Sequence, residues 1–198
     1  MVESIHNEVR RSLDSAEGLY YRLVLLVGKA GSGKTGILQA LAEEFGSPVI
    51  NVNLWLSRDL LELTAKQRSL QLQRIFDQIV DQAQSPVVLD NLEILFDRSL
   101  KQDPLRLLLQ ASRNRTVLAS WNGTLNSGTL FYAETGHPEY RRYDAADALM
   151  VEIRDETLEA INPVGGQRLT VWQNATDRME TPNGLTAELA PKLPEDWP

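Results

Sequence analysis

Short apolar strands alternate with amphipathic helices along this sequence, and the alternation predicts an α/β fold with a mostly parallel five-stranded sheet flanked by helices. Residues 22–27 (RLVLLV) and 87–90 (VVLD) lack polar alternation, as expected of strands that are covered on both faces. A glycine-rich loop lies between the first strand and the next helix, where the backbone can approach a ligand closely. Together these features predict one parallel α/β domain.

Periodicity and turn residues place the remaining elements. An N-terminal helix is expected up to about residue 18, because Ile5, Val9, Leu13 and Ala16 recur at helical spacing. Further strands are predicted at residues 48–52, 116–120 and 148–153, and further helices at residues 35–46, 57–84 and 104–112. Residues 122–146 show no convincing period.

Composition favours a single domain followed by a tail. We assign the domain to residues 1–153 and predict that residues 154–198, which are polar and acidic, form a flexible C-terminal tail. The net charge is −7 and no basic face is evident, so direct nucleic-acid binding is disfavoured. The sequence contains no cysteine and no apolar run long enough to span a membrane, which favours a cytoplasmic protein without membrane contact.

Residues 28–35 (GKAGSGKT) match the phosphate-binding pattern G-x-x-x-x-G-K-[ST] at every position. The strand before the loop and the helix after it supply the required context, because backbone N–H groups and the positive end of the helix converge on a phosphate. Nucleotide contacts are predicted for Gly28, Lys29, Ala30, Gly31, Ser32, Gly33, Lys34 and Thr35. Lys34 is expected to reach the β- and γ-phosphates, and the Thr35 hydroxyl to ligate Mg²⁺. The fold prediction therefore narrows to a P-loop NTPase.

A second acidic element follows the strand at residues 87–90. Asp90 ends this strand, as a Walker B carboxylate does, and is predicted to hold Mg²⁺ through its water shell. In many hydrolytic P-loop proteins the next residue is the acid that polarises the attacking water, but that position is Asn91 here. Glu93 is the nearest alternative, and we predict it as the water-activating residue; the competing interpretation is a Glu at a helix start.

Asn122 follows the fourth strand, where a polar side chain can orient water or contact the γ-phosphate. The alternative is a turn, because Asn-Gly is strong turn chemistry. With Lys34 and Glu93, Asn122 completes the predicted catalytic set. Four arginines are candidates for a finger that acts on a neighbouring copy in a homo-oligomer: Arg113, Arg115, Arg141 and Arg142.

With these motifs identified, the chain resembles the BrxF family, the small P-loop proteins of type III BREX bacteriophage-defence systems. The resemblance covers about residues 1–153 and lies in the phosphate loop and in residues 86–96 (PVVLDNLEILF), 103–123 (DPLRLLLQASRNRTVLASWNG) and 137–143 (HPEYRRY). It implies a cytoplasmic bacterial ATPase that acts with a DNA methyltransferase and other defence-system proteins, and it assigns nucleotide roles to Lys34, Thr35 and Asp90. The fold so implied is an AAA-like core, here without a helical lid domain, because no sequence after the fifth strand is suited to build one.

Three functions are compatible with the sequence. The leading one is an Mg²⁺-dependent ATPase or switch within a multi-protein assembly. The second is a non-catalytic nucleotide-dependent scaffold, suggested by Asn91 in the common acid position. The third is a small-molecule kinase. Such an enzyme usually has a lid that carries arginines, and only Arg141 and Arg142 suggest one here. No base-specifying motif separates ATP from GTP, and ATP is favoured by analogy.

Overall fold

The computed structural model describes residues 2–144 and 147–153. Within them the chain forms five α-helices, seven β-strands and two short 3-10 turns. The helices are α1 (Val2–Ala16), α2 (Lys34–Phe45), α3 (Val52–Leu60), α4 (Ala65–Asp81) and α5 (Pro104–Ala111). The strands are β1 (Leu23–Gly28), β2 (Val49–Asn51), β3 (Val87–Asp90), β4 (Val117–Asn126), β5 (Thr129–Tyr132), β6 (Arg141–Asp144) and β7 (Leu149–Glu152). The 3-10 turns span Glu93–Phe96 and Arg98–Leu100.

Five of these strands form the predicted parallel sheet, in the order β2-β3-β4-β1-β7. The strand that ends in Asp90 is therefore separated from the strand that enters the phosphate loop by β4. Strand register aligns Gly28 with Asn122, and Asn51 with Asp90. All four residues consequently lie at the carboxyl edge of the sheet, where ligands bind in open α/β folds.

The side chains of β1 divide the core into two layers. Leu23, Leu25 and Val27 face a cluster that includes buried residues of α3, α4 and α5. Val24 and Leu26 face a second cluster built with α1 and α2. Because both faces of the strand are covered, its residues are buried without alternation, which confirms the prediction made from the apolar run. The α1 helix packs on the sheet through its predicted apolar stripe.

The helix predicted at residues 57–84 is wrong in one respect, because two helices occupy the region. The α3 helix starts directly after β2, with the Asn51 side chain accepting from the Leu54 N–H, and ends at Leu60. The α4 helix starts afresh after Thr64, which forms a capping box with Gln67. Apolar periodicity continues across the break and hides it.

Residues 122–146 contain an antiparallel extension that the sequence did not predict. The β4 strand runs on past the parallel sheet to Asn126 and pairs with β5, which pairs with β6. The turn falls at Ser127 and Gly128, both with positive φ, so the alternative that placed a turn at Asn122-Gly123 is wrong. Gly123 is needed inside the strand, because a Cβ there would lie 1.8 Å from the Phe131 carbonyl oxygen.

The predicted fifth parallel strand is confirmed as β7, which pairs with β1 at the edge of the sheet. The predictions of a flexible tail at residues 154–198 and of a missing lid domain fall outside the described residues.

Candidate nucleotide-binding site

The phosphate loop connects β1 to α2 through two glycines in the left-handed region. Gly31 has a φ of 78° and Gly33 a φ of 89°, conformations that L side chains rarely adopt. At Gly28 the restriction is space, because a Cβ would lie 2.5 Å from the Ser32 hydroxyl oxygen. The loop is thus shaped by its glycines into the form that exposes successive backbone N–H groups.

The Lys34 side chain lies back along this loop. Its ammonium donates to the carbonyl oxygens of Gly28, at 2.7 Å, and Lys29, at 2.6 Å, and the residue is only 6% exposed. Burial lowers the pKa of the Lys34 ammonium, and the carboxylates of Asp90 and Glu93 oppose that shift. The ammonium is therefore held by carbonyl oxygens at the centre of the loop, where phosphate oxygens can replace these acceptors.

Thr35 and Asp90 meet across the sheet edge, although 55 residues separate them in sequence. The Thr35 hydroxyl donates to Asp90 Oδ2 at 2.8 Å, and the Asn91 N–H donates to Asp90 Oδ1 at 2.9 Å. Asp90 is 4% exposed. A hydroxyl and a carboxylate at this distance are hard oxygen donors of the kind that Mg²⁺ takes together with waters, so the donor set fits that ion.

Glu93 stands next to this pair, and amides hold both of its carboxylate oxygens. Asn53 Nδ2 donates to Glu93 Oε2 at 2.8 Å, and Asn122 Nδ2 donates to Glu93 Oε1. Asn91 makes the geometry possible, because its φ of 56° turns the chain after Asp90 and leads directly into the 3-10 turn that starts at Glu93. The structure thus brings together the predicted residues Lys34, Asp90, Glu93 and Asn122.

Asn53 is the residue that sequence reasoning missed. Besides its bond to Glu93, its Oδ1 accepts from the Ile94 N–H at 2.7 Å, and its own N–H donates to the Asn91 carbonyl at 3.0 Å. These three bonds fix the amide and tie α3 to the segment after β3. The available signal was its position just beyond a strand at the carboxyl edge of the sheet.

A cavity of about 420 Å³ lies between the phosphate loop and the residues after β3 and in β4. Its lining comprises Ala30, Gly31, Gly33, Lys34, Thr35, Asp90, Asn91, Glu93 and Asn122. Lys29, which was predicted among the nucleotide contacts, is exposed and does not line this cavity.

A cluster of aromatic side chains packs against the segments that carry Glu93 and Asn122. Trp121, one residue before Asn122, is almost fully buried and contacts Phe96 edge to face, with ring centroids 5.1 Å apart. Phe96 ends the 3-10 turn that begins with Glu93, and its ring stacks on Tyr132 of β5. Burial, with the charges of Glu139 and Glu93, raises the pKa of Tyr132 to about 12. The β4–β5 hairpin and the Glu93 turn therefore share one packed core.

The four arginine candidates occupy different environments. Arg115 is held by the end of α4, donating to the Val80 carbonyl and to Asp81 at 2.7 Å. Arg113 lies over the rings of Tyr20 and Tyr21. Arg141 donates to the Tyr140 carbonyl. Arg142 is exposed on β6, and no ion pair involves it within the described residues.

A phosphate loop on a parallel sheet, with an acidic strand end beside it, defines a P-loop nucleoside triphosphatase. The family model of the ATPase family associated with various cellular activities (AAA) matches residues 24–161, and the chain belongs to this family. The protein is therefore a P-loop ATPase, as predicted. Domains of this family often oligomerise. A search of curated proteins found no match to the chain. Among the described helices, none has the length and apolar character needed to cross a membrane.

Proposed function

We propose that the chain hydrolyses ATP with Mg²⁺ and that Glu93 activates the attacking water. The observation that carries this proposal is the double amide contact of Glu93 beside Lys34 and Asp90. A carboxylate has about four lone-pair positions, so two amide bonds orient it and still leave acceptors for water. Asn53 and Asn122 then act as positioning residues, and Asn122 also borders the nucleotide cavity.

The phosphate loop and Asp90 have separate roles in this proposal. The loop N–H groups and Lys34 bind the β- and γ-phosphates, and Thr35 and Asp90 would hold Mg²⁺, which would supply positive charge beside the phosphate oxygens. Water attacks the γ-phosphorus, the bond to the β–γ bridging oxygen breaks, and Glu93 accepts the water proton, which leaves ADP and phosphate. Adenine specificity is inferred from family membership.

We expect the isolated chain to turn over slowly and a partner or second copy to accelerate it. Positioning and charge stabilisation supply most of the rate in phosphoryl transfer, and an arginine provided in trans contributes on the order of 10³ to 10⁵. Three of the candidate arginines make local contacts, which leaves Arg142 as the one best suited to reach a neighbour.

The resemblance to BrxF proteins supports a cytoplasmic role in a phage-defence assembly with a DNA methyltransferase. A direct test is to co-express the tagged chain with the products of its neighbouring genes and to compare recovery of the complex with that of a Lys34→Ala variant, in ATP and in ADP. Nucleotide-dependent recovery of a methyltransferase supports the assembly role, and absence of any neighbour from the complex contradicts it. The ATPase assignment is tested separately, by turnover of the purified chain.

A further inference from the structure

A second, larger cavity lies beside the nucleotide cavity, against the β4–β5 hairpin. Its volume is about 740 Å³, within the range of small-molecule sites. It shares Ala30 and Asn122 with the nucleotide cavity. The main chemical groups of its lining belong to Lys29, Asn122, Phe131, Glu134, His137 and Tyr140. It is thus contiguous with the ATPase site but is built largely from other residues.

The shared residues show which part of the ATPase site adjoins this cavity. Asn122 donates to Glu93, the residue proposed to activate water. The cavity therefore borders the end of the nucleotide site where the γ-phosphate is expected. This orientation rests on the proposed function, but the presence of a ligand in the second cavity does not require hydrolysis.

Aromatic rings form one wall. Phe131 and Tyr140 are half-buried, their centroids are 6.3 Å apart and their planes are inclined by 31°. Tyr132, buried next to Phe131, stacks on Phe96 and fixes this wall to the core. Half-exposed rings on a rigid support are suited to stack on a planar aromatic group.

Charges on the other walls differ in sign. Lys29 is exposed and has no ion pair among the described residues, so its ammonium can accept an anion as partner. Glu134 supplies an exposed carboxylate on the segment after β5. His137 Nδ1 accepts from the Glu139 N–H at 3.1 Å, so the neutral ring carries its proton on Nε2 and can donate. A cation, an acid and two tilted aromatic rings thus line the same space.

We propose that this cavity is a second ligand site that binds a nucleoside monophosphate. The base stacks on Phe131 and Tyr140, an exocyclic amine donates to Glu134, and the phosphate pairs with Lys29. A cationic peptide side chain would be repelled by Lys29, and an uncharged aromatic group would use neither charge. A nucleoside monophosphate presents an anion, an amine donor and a planar ring together, which matches the lining.

The test is calorimetry on the full chain, with the phosphate loop first saturated by Mg²⁺ and a non-hydrolysable ATP analogue. AMP is the probe, and we expect one further AMP per chain. Adenosine, which lacks the phosphate, and IMP, which keeps the purine ring but has a carbonyl in place of the exocyclic amine, should each bind about tenfold more weakly, because each loses one charge-assisted hydrogen bond.

Substitutions test which residue is responsible for each feature of AMP binding. Phe131→Ala and Tyr140→Ala should lower AMP affinity at least tenfold and leave analogue affinity unchanged, which also shows that the variants are folded. Lys29→Ala should remove the preference for AMP over adenosine, and Glu134→Ala should remove the preference for AMP over IMP. Leu70→Ala, at an exposed position on α4, is the matched control and should leave the affinities for AMP and for the analogue unchanged.

Three results would overturn the proposal. One is the absence of AMP binding at millimolar concentration to chain that binds the analogue. Another is AMP binding that the analogue abolishes, which would place AMP in the phosphate loop. The third is that the unmodified chain does not bind AMP while Phe131→Ala changes the oligomeric state seen by sedimentation. In that case the cavity would be a contact between copies of the chain.

Discussion

Glu93→Gln is expected to separate ATP binding from hydrolysis. The substitution removes the carboxylate charge and its capacity to accept a proton, but it leaves Lys34, Thr35 and Asp90 unchanged. General-base catalysis contributes about 10² to 10⁴ in rate, so turnover should fall by that factor, equivalent to about 3 to 5 kcal/mol in activation free energy. The affinity for ATP should stay within about threefold.

The structure also bounds the cost to stability. Asn53 cannot flip its amide, because Oδ1 accepts from the Ile94 N–H, so the new carboxamide oxygen must pair with Asn53 Nδ2. Asn122 can flip and accept from the new NH₂ group with its own oxygen. Both contacts survive as neutral hydrogen bonds, and the loss is about 1 kcal/mol, which corresponds to about 2 to 4 °C in Tm.

Three measurements check this prediction. Calorimetry with a non-hydrolysable analogue gives the affinity, steady-state phosphate release gives the turnover, and thermal unfolding gives the stability. Glu43→Gln, at an exposed position on α2, makes the same chemical change away from the site and should behave as the unmodified chain. Turnover by the Glu93→Gln variant within threefold of the unmodified chain would refute the assignment of Glu93 as water-activating residue.

The other predictions concern the loop, the metal donors, the tail and the interface. Lys34→Ala should lose triphosphate binding in calorimetry without unfolding, because its ammonium bonds only to loop groups in the described structure; equal affinity in the variant would contradict the loop assignment. Asp90→Ala should weaken binding in Mg²⁺ more than in EDTA, because it removes the partner of Thr35; unchanged magnesium dependence would make Asp90 a structural residue. A chain truncated after residue 153 should remain folded and bind nucleotide, as circular dichroism and calorimetry would show, and a molten product would mean that the tail completes the core. Arg142→Ala and Lys34→Ala chains, each inactive alone, should recover phosphate release when mixed, since one donates the arginine and the other the intact loop; if mixtures stay inactive, this arginine does not act in trans.

Local and long-range contacts differ in how well the sequence predicts them. The phosphate loop was predictable, because a strand, eight consecutive residues and a helix specify a phosphate cradle without distant partners. Asp90 was predictable because it ends an apolar strand. Glu93 and Asn122 could be proposed because each lies just beyond a predicted strand. Their direct contact depends on the left-handed Asn91 and on the register between β1 and β4, which periodicity does not reveal.

The contact of Asn53 with Glu93 and the hairpin were not predicted, for different physical reasons. Asn53 reaches Glu93 only because α3 begins immediately after β2, whereas the apolar pattern suggested one helix starting later. The β5 and β6 strands are only four residues long, and their sequences, TLFY and RRYD, do not alternate apolar with polar residues although their burial does. Asn-Gly at 122–123 suggested a turn where the strand in fact continues.

The β4 strand belongs to the parallel sheet in its first half and to an antiparallel hairpin in its second half, and Asn122 stands at the junction. Pairing with β1 ends at this residue, and beyond it only the base of the hairpin, through Leu130 and Tyr132, stays buried in the core. Loop grafting should therefore be tolerated at Ser127 and Gly128, at the tip of the hairpin. The tip of the hairpin can be lengthened or replaced without changing the residues that bind the phosphates, whereas its buried base at Leu130 and Tyr132 has to be kept.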